Sequence, residues 1–176
     1  MIKVGVTGSN GFIGWHLCRT LKLDIDRFEI IEFNRKLFTL FGIGNLPFSG
    51  TAGSLVSVII YYLFYSYLNT IFFTSLIIII FIYSLYFLEK TLKKSFTSAD
   101  PKEIVIDEFI GQSIPLLFCE NNLFLIILSF LLFRLFDITK PWPASYFDLK
   151  IKNSIGVIMD DVIAGIYTFL IVYLCI

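Results

Sequence analysis

Charge disappears from the chain between Leu37 and Leu88. No Asp, Glu, Lys, Arg or His occurs in those 52 positions, whereas residues 1–36 carry six basic and four acidic side chains. Within the uncharged stretch, Leu55–Leu68 and Ile71–Leu88 are apolar runs separated by Asn69-Thr70. The second predicts a helix roughly 27 Å long, which nearly matches a bilayer's hydrocarbon core. The first is shorter and needs part of the preceding Gly-, Pro-, Ser- and Thr-rich stretch TLFGIGNLPFSGTAGS (39–54) to complete a span. Beyond a Lys-rich segment (89–102), apolar and polar positions mix in EIVIDEFIGQ (103–112), and CENN (119–122) interrupts the next apolar run. Leu123–Phe133 is too short to span comfortably and reads as re-entrant or buried beside other helices. Pro141 is expected to end the helix that carries FRLFDITK, because a residue before proline disfavours the α region. A basic loop with Lys150 and Lys152, the segment GVIMDDVIAG (156–165) and an uncharged tail, Val162–Ile176, complete the chain.

The first 36 residues follow another rhythm: a strand (Ile2–Val6), a Gly-rich turn, a helix (Phe12–Leu23) and a second strand (Phe28–Phe33). The expected architecture is a mainly α, multi-helical integral membrane protein with a short β-α-β Rossmann-like stub at the N-terminus. The composition step near Lys36 divides the chain into a stub, 1–36, and a helical membrane domain, 37–176. VTGSNGFIG (6–14) resembles the opening of an extended short-chain dehydrogenase or NAD-dependent epimerase/dehydratase, in which the glycines admit a pyrophosphate to a helix N-terminus. That resemblance stops near residue 35, without the remaining strands of a parallel sheet. The Tyr-x3-Lys pair such enzymes use has two matches, Tyr86/Lys90 and Tyr146/Lys150. The first closes an apolar segment and the second follows a Pro-rich loop. The stub therefore reads as a non-catalytic appendage, and no nucleotide-binding residue is assigned.

Composition supports the membrane reading: 57% of the 176 residues are hydrophobic, only 16% are charged, and mean hydropathy is +0.82. Zero net charge gives no basic field for nucleic acid. Three cysteines without CxxC spacing suggest neither a disulfide framework nor a zinc site. The absence of a Cys-x5-Arg loop excludes a cysteine phosphatase. The only histidine, His16, lies in the stub, which argues against a phosphohistidine intermediate. By the positive-inside tendency, the stub and both Lys-rich loops face the cytoplasm, so the first two apolar segments form a hairpin.

The ionisable residues beside apolar segments are the candidate chemistry, because such groups are costly near a bilayer. Asp107 and Glu108 form one acidic pair, with Gly111 a turn beyond; Asp160 and Asp161 form another, with Gly165 a turn beyond. A glycine at that spacing lets another helix or a head group approach closely. Arg134 and Asp137, three residues apart, share a helical face, and Lys140 follows. Carboxylates with two fixed cations suit a hard Mg²⁺ that bridges protein oxygens and a phosphate. The plain structural alternatives are an intrahelical Arg134–Asp137 pair and acidic pairs that mark interfacial helix ends. Lys90, Lys93 and Lys94 read as an interfacial anchor.

Four segments together resemble the phosphatidylglycerophosphatase A family: FGIGNLPFSGTAGSL (41–55), EIVIDEFIGQ (103–112), FRLFDITKPWP (133–143) and GVIMDDVIAG (156–165). The resemblance covers roughly residues 37–176. It implies a bacterial inner-membrane enzyme, with its site facing the cytoplasm, that removes the terminal phosphate of phosphatidylglycerophosphate in phospholipid biosynthesis and requires Mg²⁺. The family match falls on Asp107, Glu108, Arg134, Asp137, Lys140, Asp160 and Asp161; the roles inferred for them are catalytic carboxylates for the five acidic residues and a phosphate clamp for Arg134 and Lys140. Among them Asp107, Glu108, Asp160 and Asp161 are expected to hold the metal. A carboxylate would activate water or attack phosphorus itself. The chain departs from the family pattern at Ser49, where proline usually precedes Gly-Thr, and at Asn153-Ser154, where a Gly-Gly pair is usual. If the latter turn needs positive φ, asparagine suits it better than serine. The alternatives are a non-catalytic membrane protein, whose acidic pairs would lie far apart, and an NAD(P)-binding protein, which needs a parallel sheet.

Overall fold

The computed structural model describes residues 33–65, 70–95, 103–151 and 153–176. Residues 33–38 are helical and lead into a 3-10 segment, Leu40–Asn45. Six further helices follow: α1 (Ser49–Phe64), α2 (Thr70–Ser95), α3 (Ile106–Leu116), α4 (Leu123–Thr139), α5 (Ala144–Lys150) and α6 (Ser154–Tyr173). The described residues contain no strand. Most of the expected β-α-β stub lies outside them. The last residue of its expected second strand, Phe33, is helical rather than extended. The helix there is anchored to the bundle: Asn34 is buried and accepts a hydrogen bond from the Tyr83 hydroxyl on α2, and Phe38 is fully buried.

α6 is the axis of the bundle, touching α2, α3, α4 and α5, while α3 also packs on α1 and α4. By length and composition, Thr70–Thr91 of α2 and Ser154–Tyr173 of α6 qualify as membrane spans. Their burial pattern is inside-out relative to a water-soluble bundle. Ile71, Phe72, Ile79 and Ile82 of α2, Phe124 and Leu131 of α4 and Leu170 of α6 are exposed, whereas Ser54, Ser57, Ser84, Ser113, Ser129, Gln112 and Thr168 are fully buried. Apolar surface on this scale suits lipid, where helix association depends on close packing and interhelical hydrogen bonds rather than on burying oil. Four of these buried polar groups supply such bonds. The Ser57 and Ser113 hydroxyls are 2.8 Å apart and join α1 to α3. The Gln112 amide donates to Ser129 Oγ at 3.3 Å and joins α3 to α4.

Several boundaries depart from the hydropathy reading, each for a local reason. α1 does absorb the end of the Gly-rich stretch: Phe48 adopts a left-handed conformation (φ 62°) and the helix starts at Ser49. α2 runs on past Leu88 to Ser95, because Glu and Lys are good helix formers that change the solvent without ending the helix. α4 has 17 residues, not the 11 of the apolar run, since Arg134 and Asp137 continue its last turns. It stops at Thr139, where Lys140 turns left-handed before Pro141 (φ 42°, ψ 60°). GVIMDDVIAG and the apolar tail form one helix, because both aspartates face inward and leave its outer face apolar. Asn153 does not need positive φ. Its backbone is extended (φ −139°) and its side chain caps α6 by accepting from the Ile155 and Gly156 amides at 3.0 and 3.2 Å.

Candidate active site

α3 and α6 cross where each carries a glycine one turn beyond its acidic pair. A Cβ on Gly165 would fall 2.3 Å from the Gly111 carbonyl oxygen, and one on Gly111 would fall 2.5 Å from that of Asp161. No side chain fits at either position, so the two backbones touch. This contact brings the pairs together. Asp107, Glu108 and Asp161 each place one carboxylate oxygen within 4.8 Å of the others. Asp107 and Asp161 are buried, and the first turn of α3 adds the positive end of a helix dipole. Asp107 Oδ1 also accepts from the Glu108 amide at 3.1 Å, and Asp160 Oδ1 accepts from the Asp161 amide at 3.0 Å. These local bonds fix the side-chain directions. The acidic pair of α6 occupies the seventh and eighth positions of that helix and is buried.

Arg134 and Asp137 of α4 form the ion pair expected from their spacing. The Arg134 guanidinium lies over the first turn of α1, in the same space as Glu108 Oε1: both border Gly50. Asp137 lies close enough to Asp161 to interact with it electrostatically. Two buried polar atoms in this group, Glu108 Oε2 and Arg134 Nε, have no hydrogen-bond partner.

Lys140 is engaged with two carboxylates. Its ammonium donates to Asp148 Oδ1 at 2.8 Å and to Asp160 Oδ2 at 2.5 Å, pinning the end of α4 to α5 and α6. Burial alone would lower its pKa, but the bonds to Asp148 and Asp160 outweigh it and hold the ammonium above its ordinary range. Asp160, expected among the metal ligands, is outside the trio of converging oxygens and is engaged with Lys140 instead. Lys140→Met should therefore lower stability by about 3 kcal/mol, because it strands the buried Asp160 carboxylate. Asp148→Asn should cost less than about 1 kcal/mol, since Asp160 keeps its partner. Thermal unfolding of both variants in detergent checks the contrast.

Two participants escaped the sequence reading. Asp148 sits in a segment taken for a basic loop, and nothing in its spacing marks it as a lysine partner. Gly50 stands in the SGT of FGIGNLPFSGTAGSL, where glycine offers no chemistry to single out. The two Tyr-x3-Lys matches lie on separate helices. Lys90 lies 4.2 Å above the Tyr86 ring on α2, while Tyr146 and Lys150 lie on the seven-residue α5.

The trio fits a hard divalent cation. All its donors are carboxylate oxygens, they converge from two helices, and Glu108 Oε2 lacks any protein partner. Carboxylates this close repel one another, a cost that a bound cation removes. A bundle with two helices of bilayer length that gathers such a trio beside a carboxylate-held arginine has donors of the kind a membrane phosphohydrolase requires. The model of one such family, phosphatidylglycerophosphatase A, matches residues 36–176, and the chain belongs to that family of phosphoric monoester hydrolases. It is 38% identical over 135 residues to phosphatidylglycerophosphatase A of Haemophilus influenzae, covering 76% of this chain and 82% of that protein. The Escherichia coli phosphatidylglycerophosphatase A is 32% identical over 135 residues, covering 76% and 77%. A putative phosphatidylinositol-3-phosphatase of Bacteroides thetaiotaomicron is 35% identical over 141 residues, covering 76% and 87%. No solved structure matches the chain.

Proposed function

We propose that the chain hydrolyses the terminal phosphomonoester of phosphatidylglycerophosphate, giving phosphatidylglycerol and phosphate, with Mg²⁺ held by Asp107, Glu108 and Asp161. The observation that carries this reading is the convergence of these three carboxylates from helices about fifty residues apart, with Glu108 Oε2 left unpartnered. A non-catalytic protein whose charges only position helices would have no need to bring the two acidic pairs together. When bound, Mg²⁺ supplies a Lewis acid that neutralises charge on the phosphate and the attacking oxygen. Arg134, fixed by Asp137, holds phosphate oxygens through its planar fork. Lys140 has a third ammonium hydrogen beyond those given to Asp148 and Asp160, and it completes the clamp. The phosphorus–oxygen ester bond breaks as the new oxygen arrives. Either a carboxylate of the set takes the proton of the attacking water and passes it to the leaving glycerol oxygen, or the carboxylate itself attacks. In the second case the leaving oxygen takes a proton from solvent, and water then cleaves the acyl phosphate to release phosphate.

The site opens toward the cytoplasm in this reading. The starts of α1, α3 and α6 and the end of α4 meet there. Ser154 Oγ also donates to the Leu85 carbonyl at 3.4 Å, which puts the late turns of α2, leading into the Lys-rich segment, at the same end. Purified protein in mixed micelles should release phosphate from phosphatidylglycerophosphate, lose that activity with EDTA and regain it with Mg²⁺. Phosphatidylinositol 3-phosphate serves as the competing substrate suggested by the Bacteroides relative's name. No release from phosphatidylglycerophosphate, with a known phosphatase active in parallel, rejects the assignment.

A further inference from the structure

We propose that Gly50 is a positioning residue: its missing side chain is the space in which the Glu108 carboxylate and the Arg134 guanidinium are held side by side. This rests on the reading of that site as the catalytic centre. An ideal Cβ on Gly50 would lie 2.4 Å from Glu108 Oε1, 3.1 Å from Arg134 Nη1 and 3.2 Å from Arg134 Nη2. The other crowded glycines are different. At Gly44, Gly53, Gly111, Gly156 and Gly165 the obstructing atoms include backbone of a neighbouring segment, so those positions set how closely segments pack. At Gly50 the three nearest atoms are all ends of charged side chains from α3 and α4.

The backbone itself does not require glycine there. Gly50 is the second residue of α1 and lacks the positive φ that would exclude an L side chain. Helix propensity favours alanine at such a position. A methyl group at 50 would leave the helix intact and displace what lies above it. The Glu108 carboxylate would be pushed out of the position in which one of its oxygens converges with those of Asp107 and Asp161, and Arg134 would shift against Asp137. The first turn of α1 thus acts as a flat floor under a carboxylate and a guanidinium that must both reach one phosphate.

The test uses the full chain in detergent and compares wild type, Gly50→Ala, Glu108→Asp and the double variant. Mn²⁺ stands in for Mg²⁺, and binding is read by electron paramagnetic resonance without substrate, alongside kcat for phosphate release. Gly50→Ala should unfold at the wild-type temperature, yet bind Mn²⁺ about tenfold more weakly and lose about tenfold or more in kcat. Aspartate at 108 is one methylene shorter and vacates the contested space. On that background the added alanine should therefore change Mn²⁺ affinity less than about twofold. Wild-type Mn²⁺ affinity in Gly50→Ala, an equal loss on both backgrounds, or a lowered unfolding temperature each overturns the proposal. Failure of wild type to hydrolyse the lipid, with the Mn²⁺ pattern intact, would instead reject the proposed reaction and leave the positioning role standing.

Discussion

Asp161→Asn should reduce phosphate release by about 10³-fold while leaving the protein folded. Asparagine has nearly the same shape but brings a neutral amide to a position where three oxygens converge within 4.8 Å. Losing one anionic donor weakens the hold on the cation and the charge neutralisation it supplies. Several kcal/mol of transition-state stabilisation are at stake, and each 1.36 kcal/mol is a factor of ten. Folding should survive because a neutral side chain relieves repulsion among buried carboxylates. Asp107→Asn should behave similarly, and the double variant should be little worse than either single one, since the trio acts as a unit. Phosphate release at saturating Mg²⁺ reads the loss, and an unchanged thermal unfolding profile separates it from misfolding. Activity within tenfold of wild type in Asp161→Asn would exclude this carboxylate from the chemistry.

The second large effect is on assembly. Gly165→Val places two methyl groups where even a Cβ would lie 2.3 Å from the Gly111 carbonyl oxygen. That obstruction is backbone in the middle of a helix and cannot rotate aside, so α3 and α6 must separate by more than an ångström. The cost should exceed about 4 kcal/mol, in the range reserved for severe overpacking of a core. The interface also aligns Asp161 with Asp107 and Glu108, so activity and stability should fall together. A large drop in unfolding temperature in detergent, with loss of metal-dependent activity in whatever fraction remains folded, is the expected result. Gly165→Ala should give a milder version of the same coupled loss.

How much the sequence revealed depended on the range of each signal. The long uncharged stretch announced helices of bilayer length, because hydropathy is a property of contiguous residues. Arg134 and Asp137 could be paired from spacing alone, because both sit on one helix. The acidic residues were visible as expensive groups beside apolar segments. Their division of labour was not: Asp160 and Asp161 are adjacent, yet one faces Lys140 and the other the trio. A helical step of about 100° separates neighbours, and which way each points depends on partners that linear order does not show. Asp148 and Gly50 were missed for the same reason. The charged turns of α2 and α4 misled the reading of length, because a change of polarity looks like a boundary even where the backbone hydrogen bonds continue. The end of α4 before Pro141 was legible, since proline acts on its own immediate neighbour.

The crossing of α3 and α6 also bears on how the protein is made. Two carboxylates of the trio belong to α3, and the third arrives on α6, which is synthesised after α3. A chain still under synthesis therefore holds an incomplete ligand set. α6 must also carry two aspartates toward the bilayer before any partner covers them, at a cost of up to about 3 kcal/mol for each one that reaches the centre. Docking against α3 relieves that cost by the same contact that completes the trio. On the proposed reading, a product truncated before α6 should lack the third carboxylate and release no phosphate from the lipid.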